Sequence, residues 1–329
     1  MEETNFNTNT ELKQAIEKIK TDVSAIKTEL HKVIVGQDEM MDLIIAGLFV
    51  GGHVLIEGVP GIAKTLTVNL IAKTINLKFK RIQFTPDIMP ADVTGTSVYN
   101  PKEMSFDFKK GPIFANIILI DEINRSPAKT QSALFEVMEE QQITFDGVSH
   151  QLEKPFMVLA TQNPIEQEGT YKLPEAQQDR FLFRILIKYP TLSEEIEILN
   201  KFHGDFSQKI TNDVQTVIEA ETILKNREII EQIFISPAII NYIAQIIDST
   251  RNNKDIFLGA SPRASIAIIK TSKAMAAMQG RDYVSPDDIH FALHPVLNHR
   301  LILSPEKEIE GFSIKDVIDE IIKKIEVPR

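Results

Sequence analysis

The sequence predicts an α/β domain, a parallel β-sheet with helices on both faces, followed by an all-α domain. Three observations carry this. A short apolar run, a glycine-containing turn and a helical pattern follow one another between residues 53 and 73. Apolar runs of strand length then alternate with helical periods as far as Ile187, as a sheet with helical crossovers requires. Beyond Tyr189-Pro190 only helical patterns remain. The division is therefore set at 1–190 and 191–329, and 329 residues are enough for two domains.

The first element is a helix from about Glu11 to His31, with Thr8 and Glu11 at capping-box spacing. Leu12, Ile16, Ile19, Val23, Ile26, Leu30 and Val33 recur by fours and threes and form a narrow apolar seam. Packing on the chain's own core is the expected use of that seam, and a coiled-coil contact is the alternative. A second helix is expected around Asp38 to Phe49, then a buried strand at His53 to Glu57. Phe79 to Phe84 reads as a strand, and the Pro- and Gly-containing stretch Thr85 to Gly111 as irregular, inserted structure. Ile113 to Ile120 is apolar, and a polar helix follows from about Pro127 to Gln141. Ile143–Phe145 and His150–Leu152 flank Asp146-Gly147 as a hairpin would. Phe156 to Thr161 and Phe181 to Ile187 complete the strands. Helices are expected at Leu192–Phe202, Glu219–Ile233, Ala238–Arg251, Pro262–Met278 and Pro286–His299.

The segment Gly58-Val59-Pro60-Gly61-Ile62-Ala63-Lys64-Thr65, between strand and helix, has the arrangement of a phosphate-binding loop. A triphosphate needs many donors at once. Backbone N–H groups of the turn and the positive end of the helix dipole supply them. Lys64 adds a point charge for the β- and γ-phosphates, and the Thr65 hydroxyl is suited to ligate Mg²⁺. Ala63 stands where the general pattern has glycine, and its methyl group is expected to fit with φ negative.

About 60 residues on, the apolar run Ile117–Ile120 delivers Asp121 and Glu122 to its C-terminal end, where open α/β sheets bind ligands. Asp121 is suited to hold Mg²⁺ and Glu122 to orient and polarise the water that attacks the γ-phosphate. An acidic pair at a strand end is ordinary by itself; the phosphate loop upstream gives it meaning. Thr161-Gln162-Asn163-Pro164 ends the next apolar run, and Asn163 there could bond the γ-phosphate or the water.

Composition narrows the class. With 43% apolar and 25% charged residues the chain is expected to fold as a globular protein. A net charge of −10 argues against broad nucleic-acid binding. Without cysteine there is no disulfide, thiolate metal site or Cys nucleophile. The start Met1-Glu2-Glu3-Thr4-Asn5 lacks the character of a signal peptide and no apolar run reaches about 18 residues, so a cytoplasmic location is expected.

The chain resembles the AAA+ ATPases and, within them, the MoxR family. The resemblance lies in Ile34–Gln37, Gly58–Thr65, Leu119–Arg125, Ala160–Pro164, Leu173–Phe181 and Gly259–Arg263, in family order, and covers the chain from Val33 to its C-terminal region. It implies an AAA+ P-loop NTPase core with Walker A and Walker B motifs and an all-α lid. It places Val35, Gly36 and Gln37 by the adenine, and Gly58, Pro60, Gly61, Ile62, Ala63, Lys64, Thr65 and Leu66 around the phosphates. It makes Asn163 the sensor-1 residue. Arg180 would be an arginine finger reaching a neighbour's ATP, with Arg184 as its rival, and Arg263 a sensor-2 arginine on the subunit's own γ-phosphate. ATP and Mg²⁺ are the implied cofactors, with Thr65 and Asp121 holding the metal. A homo-oligomeric, hexameric ring is implied. So is a client or adaptor protein, such as one with a von Willebrand factor A domain, remodelled by rotation of the lid. The insertion at Thr85–Gly111 and the hairpin at Ile143–Leu152 would face the pore or the client. A nucleic-acid motor and a nonenzymatic ATP-bound switch are the competing readings; Lys102, Lys109 and Lys110 in the insertion are offset by Glu103 and Asp107.

Overall fold

In the computed structural model, residues 2–59, 61–162, 171, 173–203 and 213–328 are described, with side chains from Thr10 onward. Helix α1 (Glu2–His31) and α2 (Asp38–Val50) precede strand β1 (Val54–Gly58) and helix α3 (Lys64–Thr74). After β2 (Phe79–Gln83) come α4 (Pro90–Thr94) and an antiparallel hairpin of β3 (Gly95–Asn100) and β4 (Ser105–Lys110). Strand β5 (Ile117–Asp121) leads through a 3₁₀ turn at Ile123–Arg125 into α5 (Ala128–Glu140). A second hairpin, β6 (Gln142–Phe145) and β7 (Val148–Gln151), precedes β8 (Met157–Gln162), and the short α6 (Glu175–Gln178) precedes β9 (Phe183–Ile187).

Five of these strands form one parallel sheet in the order β2-β5-β8-β1-β9, with Val54 of β1 in register with Leu159 and Phe183. Period-two alternation sorts the central strands between two cores. Val54 and Ile56, Ile117 and Leu119, and Met157 and Leu159 face one; Leu55, Ile118, Ile120, Val158 and Ala160 face the other, against α5. Such continuous apolar runs suit strands covered on both faces.

The rest is mainly helical: α7 (Leu192–Phe202), α8 (Ala220–Glu231), α9 (Pro237–Arg251), α10 (Pro262–Met278), α11 (Pro286–Leu297), α12 (Pro305–Ile309) and α13 (Ile314–Lys324). A two-stranded ribbon, β10 (Ile256–Leu258) with β11 (Ile302–Leu303), lies among them. Its strands are too short to give a period-two signal, so sequence reading missed it.

The first core runs without a break from one sheet face through α1, α2 and α3 into the helices after Pro190. Ile16, Ile19, Val23, Ile26 and Leu30 of α1 are buried in it, against α3, α8 and α10, so the seam fills the chain's own core. Each such side chain contributes about 1.5–3 kcal/mol. Two expectations need correction. The helix continues past Thr8, which lies within α1 and does not cap it. The insertion at Thr85–Gly111 is ordered as α4 and the β3–β4 hairpin, in which cross-strand pairs such as Tyr99–Phe106 replace the irregular structure suggested by its prolines.

Candidate nucleotide-binding site

The loop after β1 turns into α3 through two left-handed residues, Gly61 (φ 87°) and Ala63 (φ 57°). This corrects the expectation for Ala63: its φ is positive, in the region where a Cβ costs about 1–2 kcal/mol. The turn demands that geometry of whichever residue precedes Lys64. Lys64 and Thr65 open α3, so both sit at its positive end. The Lys64 ammonium donates to the Gly58 carbonyl at 2.8 Å. Burial lowers its pKa, opposed by the carboxylates of Asp121, Glu122 and Glu57, which favour the charged form.

Asp121 ends β5 and is 8% exposed. Its Oδ2 accepts from Arg81 Nε at 2.5 Å, and its Oδ1 from the Thr161 hydroxyl at 3.2 Å. Thr161 also accepts from the Glu122 amide at 3.0 Å, which stitches β5 to β8 at the site. Glu122 has φ 58°, an uncommon conformation for a non-glycine residue and one enriched at functional sites. Its Oε2 accepts from Gln83 Nε2 and Arg125 Nη1, each at 2.9 Å. Arg81, Gln83 and Arg125 were not singled out from sequence. The first two lie on β2, and only the strand order shows that β2 borders β5.

Beside the loop lies a cavity of about 640 Å³, lined on one side by Val35, Gln37, Gly61, Ile62, Ala63 and Leu66. Ile187, Tyr189, Ile198 and Phe202 form a second wall that sequence reading did not identify. Gln37 braces the two halves of the first side: its Nε2 donates to the Ile62 carbonyl at 2.9 Å and its Oε1 accepts from Thr67 at 3.3 Å. Gly36 has φ 62°, a left-handed conformation that favours glycine, and the Glu194 carboxylate lies against the face where a Cβ would stand. A mostly apolar cleft next to a donor-rich turn suits a purine nucleoside carrying phosphates. A hydroxyl and a carboxylate, Thr65 and Asp121, are hard oxygen donors suited to Mg²⁺. Asp121 must release or share its contact with Arg81 to serve.

The arginines lie elsewhere. Helix α5 runs back along the sheet for 13 residues, about 20 Å. At its far end the Met138 carbonyl accepts from buried His53 Nε2, just before β1 begins. Arg180 lies here too, before β9: its Nη1 contacts the Phe135 carbonyl at 2.8 Å and Glu139 at 2.6 Å. Arg263, in the first turn of α10, contacts the other oxygen of Glu139 at 3.4 Å. Both are thus near the N-terminal ends of the strands. The phosphate loop is at the C-terminal ends, the length of β1 away, about 16 Å for five residues. In this structure α10 delivers Arg263 to Glu139, at the other end of the sheet from the subunit's own phosphate loop. Arg184, the rival finger, lies inside β9 and donates through Nε to Glu57 at 2.7 Å, within its own subunit. Asn163 and Pro60 lie outside the described residues.

A five-stranded parallel sheet, a phosphate loop after its β1 strand, an acidic pair on the strand two places away and a helical region beyond define a P-loop nucleotide-hydrolase core of the AAA type with a lid. The profile of the ATPase family associated with various cellular activities (AAA) matches residues 53–183, and that of the AAA lid domain matches residues 248–321. The chain is 46% identical over 299 residues to the Bacillus subtilis protein YeaC, which is uncharacterized, covering 91% of this chain and 92% of that one. It is 41% identical over 310 residues to the chaperone MoxR1 of Mycobacterium tuberculosis, covering 92% and 81% of the two chains. It also superimposes on the crystal structure of a Cytophaga hutchinsonii protein assigned as an ATPase, with a TM-score of 0.90 and 41% identity over 98% of this chain and 99% of that one. The chain belongs to the MoxR family of AAA+ ATPases.

Proposed function

We propose that this protein hydrolyses Mg²⁺-bound ATP at a site completed by a second copy of itself in a hexameric ring, and couples the cycle to remodelling or activating a client protein. The carrying observation is the shared contact of Arg180 and Arg263 with Glu139, at the opposite end of the sheet from Lys64. Two cations at the far end of the sheet from their own phosphate loop would serve a neighbour's. Lys64 and the loop amides would hold the phosphates, and Thr65 and Asp121 the cation, which neutralises phosphate charge when bound. Glu122, released from Gln83 and Arg125, would orient the attacking water. A guanidinium supplied in trans is worth about 10³–10⁵ in rate in related phosphoryl transfer. Asn163 is proposed as sensor 1 on resemblance.

The β3–β4 hairpin supports the client role, since it exposes Val98, Tyr99, Met104 and Phe106. The relative named a chaperone points the same way. An adaptor with a von Willebrand factor A domain and a cytoplasmic location remain part of the proposal. Among the described residues no helix is long and apolar enough to cross a membrane.

The test is ATPase rate against protein concentration, with mass measured in the same samples, for wild type, Glu122→Gln and Arg180→Ala. Specific activity should rise with assembly and disappear in both variants. Activity independent of concentration and untouched by Arg180→Ala would overturn the shared site.

A further inference from the structure

We propose that Arg300 is a positioning residue that fixes how Arg180 is presented to the neighbouring subunit. The inference rests on the reading that Arg180 serves a neighbour's nucleotide. Arg300 lies just beyond α11 and is 9% exposed. Its guanidinium spends all its donors, and four of the five contacts fall on the turn that carries Arg180. Nε donates to Asp179 Oδ1 at 2.7 Å, and Nη2 to the carbonyls of Asp179 at 3.2 Å and Phe181 at 2.6 Å. Nη1 donates to the Leu182 carbonyl at 3.1 Å and to Val296, in its own helix, at 2.5 Å. The backbone on both sides of Arg180 is therefore held by one side chain from the helical region.

Backbone bonds also hold the turn, from the Arg180 and Phe181 amides to the Gln177 and Gln178 carbonyls and from the Leu182 amide to the His53 carbonyl, but the elements on either side are slight. Helix α6 before it has four residues, and β9 begins only at Phe183. His299 adds a ring-nitrogen contact to the Phe181 carbonyl at 3.0 Å. The second oxygen of Asp179 accepts from Ser261 at 3.3 Å, two residues before Arg263. Asp179 is thus the joint through which Arg300 and the start of α10 set Arg180 and Arg263 in a fixed relation. A buried cation is a poor device for stability alone, since apolar side chains of similar volume do as well or better. A planar fork with five donors is suited to fixing several carbonyls in one plane, which a lysine cannot do.

The test uses mixed assemblies of full-length protein. Lys64→Ala subunits lack a working phosphate loop but keep Arg180; Arg180→Ala subunits have the reverse defect. Mixing them should restore ATPase activity, and no restoration, with mixed assemblies confirmed by mass, would remove the premise and the proposal with it. Arg300→Lys should lower kcat on the order of 10²-fold, as a misplacement of about 1 Å does, with the KM for ATP unchanged. Mixed with Lys64→Ala it should recover like Arg180→Ala; mixed with Arg180→Ala it should not, because neither supplies a placed finger. Asp179→Asn is the second variant, should Arg300→Lys not fold, and should follow the same pattern with a smaller loss. Restoration of the control pair without restoration of the Arg300→Lys or Asp179→Asn pair would overturn the proposal, as would a raised KM for ATP in those variants.

Discussion

The two ends of the parallel sheet differ in kind. At the C-terminal ends, Lys64 feels the charge of three acids, Asp121, Glu122 and Glu57, beside a cavity. At the N-terminal ends, Arg180 and Arg263 face one acid, Glu139, with buried His53 holding the strands and α5 together. The first end has the donors to bind a nucleotide and an acid to direct water. The second has two arginines on one shared acid and no phosphate loop. In the proposed ring, chemistry that needs both would join the far end of one copy to the near end of the next.

The largest effect should come from Glu122→Gln at the first end. It keeps the size of the side chain and one acceptor oxygen but removes the charge, so ATP should still bind, while turnover falls by about 10²–10⁴-fold. Binding of a fluorescent ATP analogue alongside phosphate release measures both. Arg263→Ala comes next, with turnover lowered by about 10²–10³-fold, as for loss of one donor to transition-state charge. ATP affinity measured at dilutions where the protein is monomeric should not change; a weaker affinity there would return Arg263 to its own nucleotide and break the contrast between the ends.

His53 gives a pH test confined to the second end. Burial holds its pKa down, to about 4 from 6.5, while its Nδ1 accepts from the Val158 amide. A base whose folded pKa is depressed leaves the unfolded chain binding more protons between the two values. Stability should therefore be intact above pH 6.5 and fall as pH drops toward 4, by about 3 kcal/mol from this residue. Burial also lowers the pKa of His299, which adds to the same slope. Chemical denaturation at a series of pH values should show a flatter profile in His53→Gln. The smallest effect belongs to Ala63→Gly: relief of the left-handed strain is set against greater freedom of the unfolded chain, and stability should move by no more than about 1 kcal/mol. A calorimetric melt is enough to see it.

How much of this was legible in the sequence depended on distance along the chain. The sheet, the phosphate loop and the acidic pair are local patterns: an apolar run followed by Gly58–Thr65, or by Asp121-Glu122, carries its own context. Arg81 and Gln83 were invisible because their meaning depends on β2 lying beside β5, a pairing across an insertion. The cavity's second wall runs from the end of β9 at Ile187 through Tyr189 to Ile198 and Phe202 of α7, so it depends on how that helix folds back beyond the last strand. The contact of Arg263 with Glu139 was not legible because its neighbourhood is set by how α10 packs on α1, α2 and α11, which motif order does not encode. The sign of φ at Ala63 is fixed by the turn, whereas side-chain identity alone favours the negative value.

The core that runs from the sheet into the later helices has a mechanical consequence. Rotation of a lid about a hinge would have to shear α1 and α2 from α10, where Ile19, Ile26, Ile44 and Ala276 lie buried in the same apolar mass. A subunit built in this way behaves less like a jaw than like a stone in an arch. In the proposed ring it would keep its shape, and movement driven by the nucleotide would be pushed out to the joints between stones.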